Sequence, residues 1–346
     1  MTKCCKSWRF LVEEMNHTVR LTTGEIANLW TQYINDTMAI CVLTHSIETT
    51  QDQQIKDILQ FALQLAESHI GKITAFFNEE NFPIPIGFTK ADVNLGAPAL
   101  FTDKFMLAYM LIMGIHGLTG YAGAVSTSVR ADQRAYFIQC NIETMELHNK
   151  IVELMLEKGI YSKPPRINTP KQVDFVNEQS YLTGWFGKKR PLNAMEISGI
   201  SYNMQKTVAK IVLEIAFAQT CQSKELRQYF QRGKEICKRE FETLSSILTK
   251  DDLTSPASWV SELTDSTIPP FSDKLMLSHI VILISAGVGY FGAGLSVSQR
   301  RDLALQYTIL MADIGRYAED GAQLLIKNGW LEQPPLATDR DDLAKK

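Results

Sequence analysis

Imidazole nitrogen and carboxylate oxygen are donors that hold a transition metal between helices. The first half of this chain supplies both, at Asp36, His69, His116 and Glu143. If two helices turn near residue 129, His116 comes level with Glu143, and Asp36 and His69 fall toward the middle of two preceding helices. These four are the candidate metal ligands. The strictest form of such a site, a di-iron centre, needs one Glu from each of two helices and a Glu-x-x-His from each of two others. Four carboxylates balance the charge of two irons, and the i, i+3 spacing sets Glu and His on one inward face. The chain holds a single Glu-x-x-His, Glu14 to His17, ahead of the helical region. Glu67-x-His69 and Glu146-x-His148 have spacing two, which turns the side chains about 200° apart on a helix. A standard di-iron centre is therefore not expected, which leaves a lesser site. No nucleophile–base pair, phosphate loop or nucleotide fingerprint is visible.

The helices that would position these residues follow from apolar spacing and punctuation. Thr22-x-x-Glu25 is a capping box, and Ile26, Leu29, Tyr33, Met38 and Cys41 follow at roughly helical spacing. A second helix is predicted over about 51–80, with Ile55, Leu59, Ala62 or Leu63, Ala66, Ile70 and Ile73 on one stripe. Residues 81–101 hold Pro83, Pro85, Gly87, Gly96 and Pro98 and cannot be regular helix. Helices over about 102–127 and 129–158 follow, closed by Gly159 and Pro164-Pro165.

This plan occurs twice. Phe101-Thr102-Asp103-Lys104 returns 170 residues later as Phe271-Ser272-Asp273-Lys274, Arg130-Ala131-Asp132 as Arg300-Arg301-Asp302, and Gly159 with its prolines as Gly329 with Pro334-Pro335. Solenoid units run about 20–50 residues, so this is a duplicated domain. The second set of helices is predicted over 193–221, 222–250, 272–297 and 298–328, with an irregular 251–271. The expected architecture is all-α: two tandem four-helix bundles, each with a crossover of about 20 residues, as in ferritin-like folds. The units are 1–20 (an extension), 21–165 (the first bundle), 166–191 (a linker that docks through Trp185 and Phe186), 192–336 (the second bundle) and 337–346 (a tail). At the 170-residue offset, the second-copy counterparts of Asp36, His69, His116 and Glu143 are Lys206, Arg239, Ala286 and Asp313, so a buried ion-pair cluster could stand there instead.

Each third helix sits in an uncharged run of 25 residues, between Lys104 and Arg130 and between Lys274 and Arg300. Either run is long enough to span a bilayer. The alternative makes them the most buried helices of the bundles, apolar on all sides because neighbours surround them. The amphipathic partners, which need something to bury against, favour the second reading. A seam of small residues recurs in both runs, Gly117/Gly287, Ala124/Gly294 and Ser128/Ser298. It predicts close helix approach, and the interface between the copies is one place for it. Gly117 and Gly287 are also the candidate positions for a ligand cavity.

The 346 residues are 45% hydrophobic and 21% charged, with a net charge of −3, which argues against a nucleic-acid partner. The six cysteines, Cys4, Cys5, Cys41, Cys140, Cys221 and Cys237, form no Cys-x-x-Cys and none recurs at the offset. Free thiols fit a reducing cytoplasm. The opening residues lack a signal-peptide layout.

Leu21 to Met38 (LTTGEIANLWTQYINDTM), Phe82 to Phe88 (FPIPIGF), Gly187 to Asn193 (GKKRPLN) and Asn328 to Pro335 (NGWLEQPP) resemble a family of duplicated ferritin-like proteins of spore-forming bacilli, domain of unknown function 3231. The resemblance covers nearly all of 21–336. It implies a ferritin-like fold and a cytoplasmic, sporulation-linked setting, and it brings no activity or catalytic residue. The leading expectation is a structural or interaction protein with no catalytic site and no cofactor. The alternative binds a transition metal or small ligand in the core of the first bundle. The two bundles should pack on each other, and a homo-oligomer is left open.

Overall fold

The computed structural model describes residues 20–185 and 189–345. The first bundle consists of α1 (Thr23–Thr49), α2 (Gln53–Glu79), α3 (Asp103–Thr127) and α4 (Ala131–Glu157). The second consists of α5 (Ala194–Thr220), α6 (Lys224–Thr249), α7 (Asp273–Ser296) and α8 (Arg301–Lys327), and a short α9 (Arg340–Ala344) follows. The bundle helices lie within three residues of the predicted bounds, the start of α8 being the farthest off. Cys4, Cys5, Glu14, His17, Phe186 and Gly187 lie outside the described residues.

Polar contacts fix the helix directions. The start of α3 meets the α1–α2 turn, where Asp103 accepts the backbone N–H groups of Gln51 (3.0 Å) and Asp52 (2.7 Å). The end of α2 meets the α3–α4 turn through Glu80 and Arg130 (2.5 Å). Segment 80–102 therefore runs the length of the bundle, and α2 and α3 are parallel. Glu25 anchors the opposite end of α1. It closes the capping box on Thr22 and accepts from the N–H groups of Val129 (2.8 Å) and Arg130 (2.7 Å). Glu196 repeats this role with Asn193, Gln299 and Arg300. Both carboxylates are fully buried. Burial pushes their pKa up, but the backbone donors, joined at Glu196 by Arg190, hold it below the usual range.

The two crossovers pair around a local twofold. Val93 bridges Phe271, and Phe101 bridges Leu263. Asn94 N–H reaches Pro270 O (2.8 Å) and Thr264 N–H reaches Leu100 O (3.1 Å). Each contact is the other with its two copies exchanged. On the same axis, Tyr109 of α3 hydrogen-bonds its own counterpart, His279 of α7 (3.1 Å). The apolar core runs through both bundles. The segments FPIPIGF and NGWLEQPP also meet, because Glu332 accepts from the N–H groups of Ile86 and Gly87 (both 2.7 Å). The linker docks through Arg190, which stacks on Tyr181 (3.9 Å to the ring centroid) and pairs with Glu196 (2.8 Å), while Trp185 stands half-exposed.

Three expectations change. The copies are not in one register throughout. The N-caps Thr22/Asn193 and Asp52/Ser223, and the left-handed residues Asn81/Asp252, are 171 apart, and the crossovers absorb the extra residue before α3. Thus Asp36 corresponds to Thr207 and His69 to Glu240, not to Lys206 and Arg239. The third helices are also not enclosed on all sides. In their most apolar stretches 50% of α3 and 61% of α7 is buried, and Thr119, Gly120, Ala122 and Gly123 face outward. They are long and apolar enough to cross a membrane, yet their first halves form the shared core. Finally, the small-residue seam packs within each bundle and not between copies. A Cβ on Gly117 would lie 2.9 Å from Thr144 of α4, and one on Gly294 would lie 2.7 Å from the Tyr307 ring of α8.

Candidate functional site

The apolar core of the first bundle is split. A small cluster of Leu21, Leu29, Ile73, Phe77, Ala124 and Phe137 stands apart from the main core. Most counterparts in the second bundle (Leu192, Ile200, Leu244, Leu248 and Tyr307) belong to the main core. Between the two parts of the first bundle lies a layer of polar side chains from α1, α2 and α4.

His69 is the centre of that layer. Its Nε2 lies 3.2 Å from Glu143 Oε2, and its Nδ1 lies 3.4 Å from Asp36 Oδ2. Cys140 stands one helical turn before Glu143, so both point from α4 toward His69. The donor atoms of His69, Cys140 and Glu143 lie within 4.8 Å of one another. Gln32 holds the surroundings: its amide donates to Tyr121 OH (3.3 Å) and the Cys140 sulfur (3.9 Å), and its oxygen accepts from Tyr136 OH (3.0 Å). Burial opposes a charge on His69, but Asp36 and then Cys140 outweigh it and push its pKa up to about 11. Burial pushes Asp36 above the usual carboxylate range. Asp36 Oδ2 and His69 Nδ1 are both buried and form an ion pair, but neither makes a hydrogen bond.

Three of the four candidate ligands thus converge, and His116 does not join them. Its Nδ1 shares a hydrogen bond with Tyr290 OH of the second bundle (2.9 Å), and burial, with the nearby Lys206, lowers its pKa to about 3. Cys140 was not among the candidates. Its signal was the spacing Cys140-x-x-Glu143, which sets both side chains on one helix face.

A cavity of about 670 Å³ opens beside this layer. Asp36, His69, Gln32 and Tyr121 line its polar part, Ala39, Met110, Met113 and Leu147 line its apolar part, and Ile282, Leu283 and Tyr290 of α7 form a wall from the second bundle. Gly117 lies on its wall and His116 on its far side. The volume falls within the ~300–1,000 Å³ of small-molecule sites. In the second bundle the counterpart of Ala39 is Lys210, whose ammonium lies 3.6 Å from a Cβ built on Gly287. The space beside Gly287 is only about 20 Å³. Lys210 pairs with Glu240 (3.3 Å), and Tyr317 OH donates to Glu214 (3.0 Å). A buried ion pair does stand in the second bundle, then, but on Lys210 and Glu240. Lys206 instead lies over the rings of Tyr202 and Tyr290, and Arg239 is exposed.

Asp36, His69 and Cys140 are the residue types of a thiol triad. Cys140 is only 1% exposed and does not line the cavity, so a substrate there could not reach its sulfur. A di-iron site does not fit either: α3 carries no carboxylate after Asp103, and Asp36 and Glu143 are the only acids in this cluster.

A family model described as a protein of unknown function, DUF3231, matches residues 10–173 and again 180–343. The first match starts ahead of residue 21, and the two are displaced by 170 residues. No curated protein matches. Among solved structures, a protein of Bacillus halodurans C-125, named provisionally for the spore coat, is 20% identical. It covers 46% of this chain and 99% of its own, with a TM-score of 0.39.

Proposed function

This chain belongs to the DUF3231 family, and from that premise we propose that it is a binding protein whose first bundle receives a small, largely apolar molecule. The polar end of the molecule meets Asp36, His69 and Gln32, and its apolar body lies along Ala39, Met113 and Gly117. The second bundle serves as a packed platform. The observation that carries this reading is the split core: one copy of a duplicated bundle keeps a cavity of about 670 Å³ where the other holds Lys210. Retaining such a space forgoes the burial that packs a bundle, and a ligand restores it. The parallel α2 and α3 joined by a full-length crossover support calling each bundle ferritin-like. The free thiols of Cys41, Cys140, Cys221 and Cys237 support a cytoplasmic setting, and the sporulation link rests on the family resemblance alone.

Titration with an uncharged, environment-sensitive naphthalene dye tests the proposal. The natural chain should bind one dye with enhanced emission, and Ala39→Leu, which places a larger side chain where the second bundle has Lys210, should lose it. Equal binding by both chains would overturn the reading.

A second reading, as an interaction protein, has one observation in its favour. Ile138, Ile142 and Met145 form an exposed apolar stripe on α4. Light scattering of the full chain and of Ile142→Glu would test it: a dimer that the variant dissolves supports it, and a monomer in both removes it.

A further inference from the structure

We propose that His69, Cys140 and Glu143 bind a single divalent cation of the zinc type, with Asp36 as the residue that orients His69. The inference goes beyond the cavity reading and does not depend on what the cavity holds.

Geometry comes first. Zinc takes His nitrogen and carboxylate oxygen at about 2.0–2.2 Å and Cys sulfur at about 2.3 Å, in tetrahedral array. Donor atoms on such a sphere stand roughly 3.3–3.7 Å from one another. His69 Nε2 and Glu143 Oε2 are already 3.2 Å apart, and all three donors lie within 4.8 Å. Small rotations of Cys140 and Glu143 close the remainder. Three protein ligands leave a fourth position for water, and Glu143, the most exposed of the three, is the side of entry.

The surroundings are those of a ligated imidazole. A metal-binding His typically donates its other ring N–H to a carboxylate, which fixes the tautomer and the ring plane. Asp36 Oδ2 stands 3.4 Å from His69 Nδ1. Both atoms are buried, and they face each other as an ion pair that does not meet hydrogen-bond geometry. Buried polar atoms of that kind call for a reason, and ligation supplies one: Nε2 gives up any proton to take the metal, and Nδ1 keeps its proton for Asp36. The Gln32 amide lies near the Cys140 sulfur (3.9 Å), placed to donate to a thiolate. One thiolate with one imidazole selects a borderline cation over magnesium or calcium. The second bundle shows what replaces the set. Its counterparts of His69, Cys140 and Asp36 are Glu240, Leu310 and Thr207, and the cation there is the ammonium of Lys210.

Cobalt(II) titration of the metal-stripped full chain tests the proposal, because a tetrahedral thiolate site gives a sulfur-to-cobalt charge-transfer band. The expected result is one cobalt per chain with that band, displaced by zinc. Cys140→Ser should abolish the band and Cys41→Ser should leave it. Asp36→Asn should weaken cobalt binding about 10–100-fold while keeping the band, which a merely structural role would not produce. Circular dichroism of Cys140→Ser checks its fold, and a near-isosteric change at a buried thiol should leave that intact. No stoichiometric uptake, uptake without the band, or a band that survives Cys140→Ser would each overturn the proposal. Dye binding by the metal-free chain is read separately, so the two readings can fail independently.

Discussion

Tyr109 and His279 occupy the same position in the two copies and hydrogen-bond each other across the local twofold, phenol to imidazole Nε2 at 3.1 Å. Two identical residues there would face each other as donor to donor or acceptor to acceptor unless their rotors adapt. The unlike pair joins the phenol to Nε2, Nδ1 of His279 stays buried with no hydrogen bond, and burial pushes the His279 pKa down to about 4. An unfolded His binds its proton near pH 6.5, so the unfolded chain holds more protons between pH 6.5 and about 4. Stability should therefore fall as pH drops through that window, by on the order of 1–2 kcal/mol from pH 6.5 to 5. Urea midpoints at several pH values check it, with Tyr109→Phe/His279→Leu expected to flatten the dependence.

Glu25 and Glu196 each close a capping box and hold the turn at the far end of their bundle. Their pKa values are depressed, so the stability they contribute is present above the unfolded carboxylate value of ~4.3 and is lost as pH falls through the folded one. Glu25→Gln and Glu196→Gln should each cost about 2 kcal/mol at pH 7, and chemical denaturation of each variant measures it.

The glycines of α3 and α7 should divide by face. Gly123 and Gly292 have open space where a Cβ would go, so Gly→Ala there should stabilise by up to about 1 kcal/mol. Gly117→Ala and Gly294→Ala drive a methyl into Thr144 and Tyr307 and should destabilise by about 1–3 kcal/mol. Thermal melts of the four variants separate packing seam from open face.

Lys210 and Glu240 are a buried pair at 3.3 Å. Glu240→Gln leaves the ammonium uncompensated and should cost about 3–5 kcal/mol, while Lys210→Met/Glu240→Leu should be close to neutral. A double-mutant cycle of unfolding free energies checks both.

Much of this architecture is legible in local chemistry. Thr22-x-x-Glu25, the glycines Gly159 and Gly329 in left-handed conformation at φ +67° and +68°, and the proline pairs fix helix ends with no tertiary information. Asp36, His69 and Glu143 converge because each lies on the inward stripe of an amphipathic helix. His116 departs because α3 has no amphipathic face to read, and the second bundle, through Tyr290, decides its direction. The one-residue change of register is silent because the motifs that mark the repeat all lie between the start of α3 and the turn after α4, and at their counterparts. Lys210 and Glu240 went unread for that reason.

One bundle of the pair keeps a space that the other has filled. A crystal structure of the full chain under xenon pressure tests it most directly, since xenon enters apolar space such as the part lined by Ala39, Met110, Met113 and Leu147. A xenon peak is expected in the first bundle between Ala39 and Gly117 and none beside Gly287. Side chains closed over that space, or equal occupancy in both bundles, would contradict it.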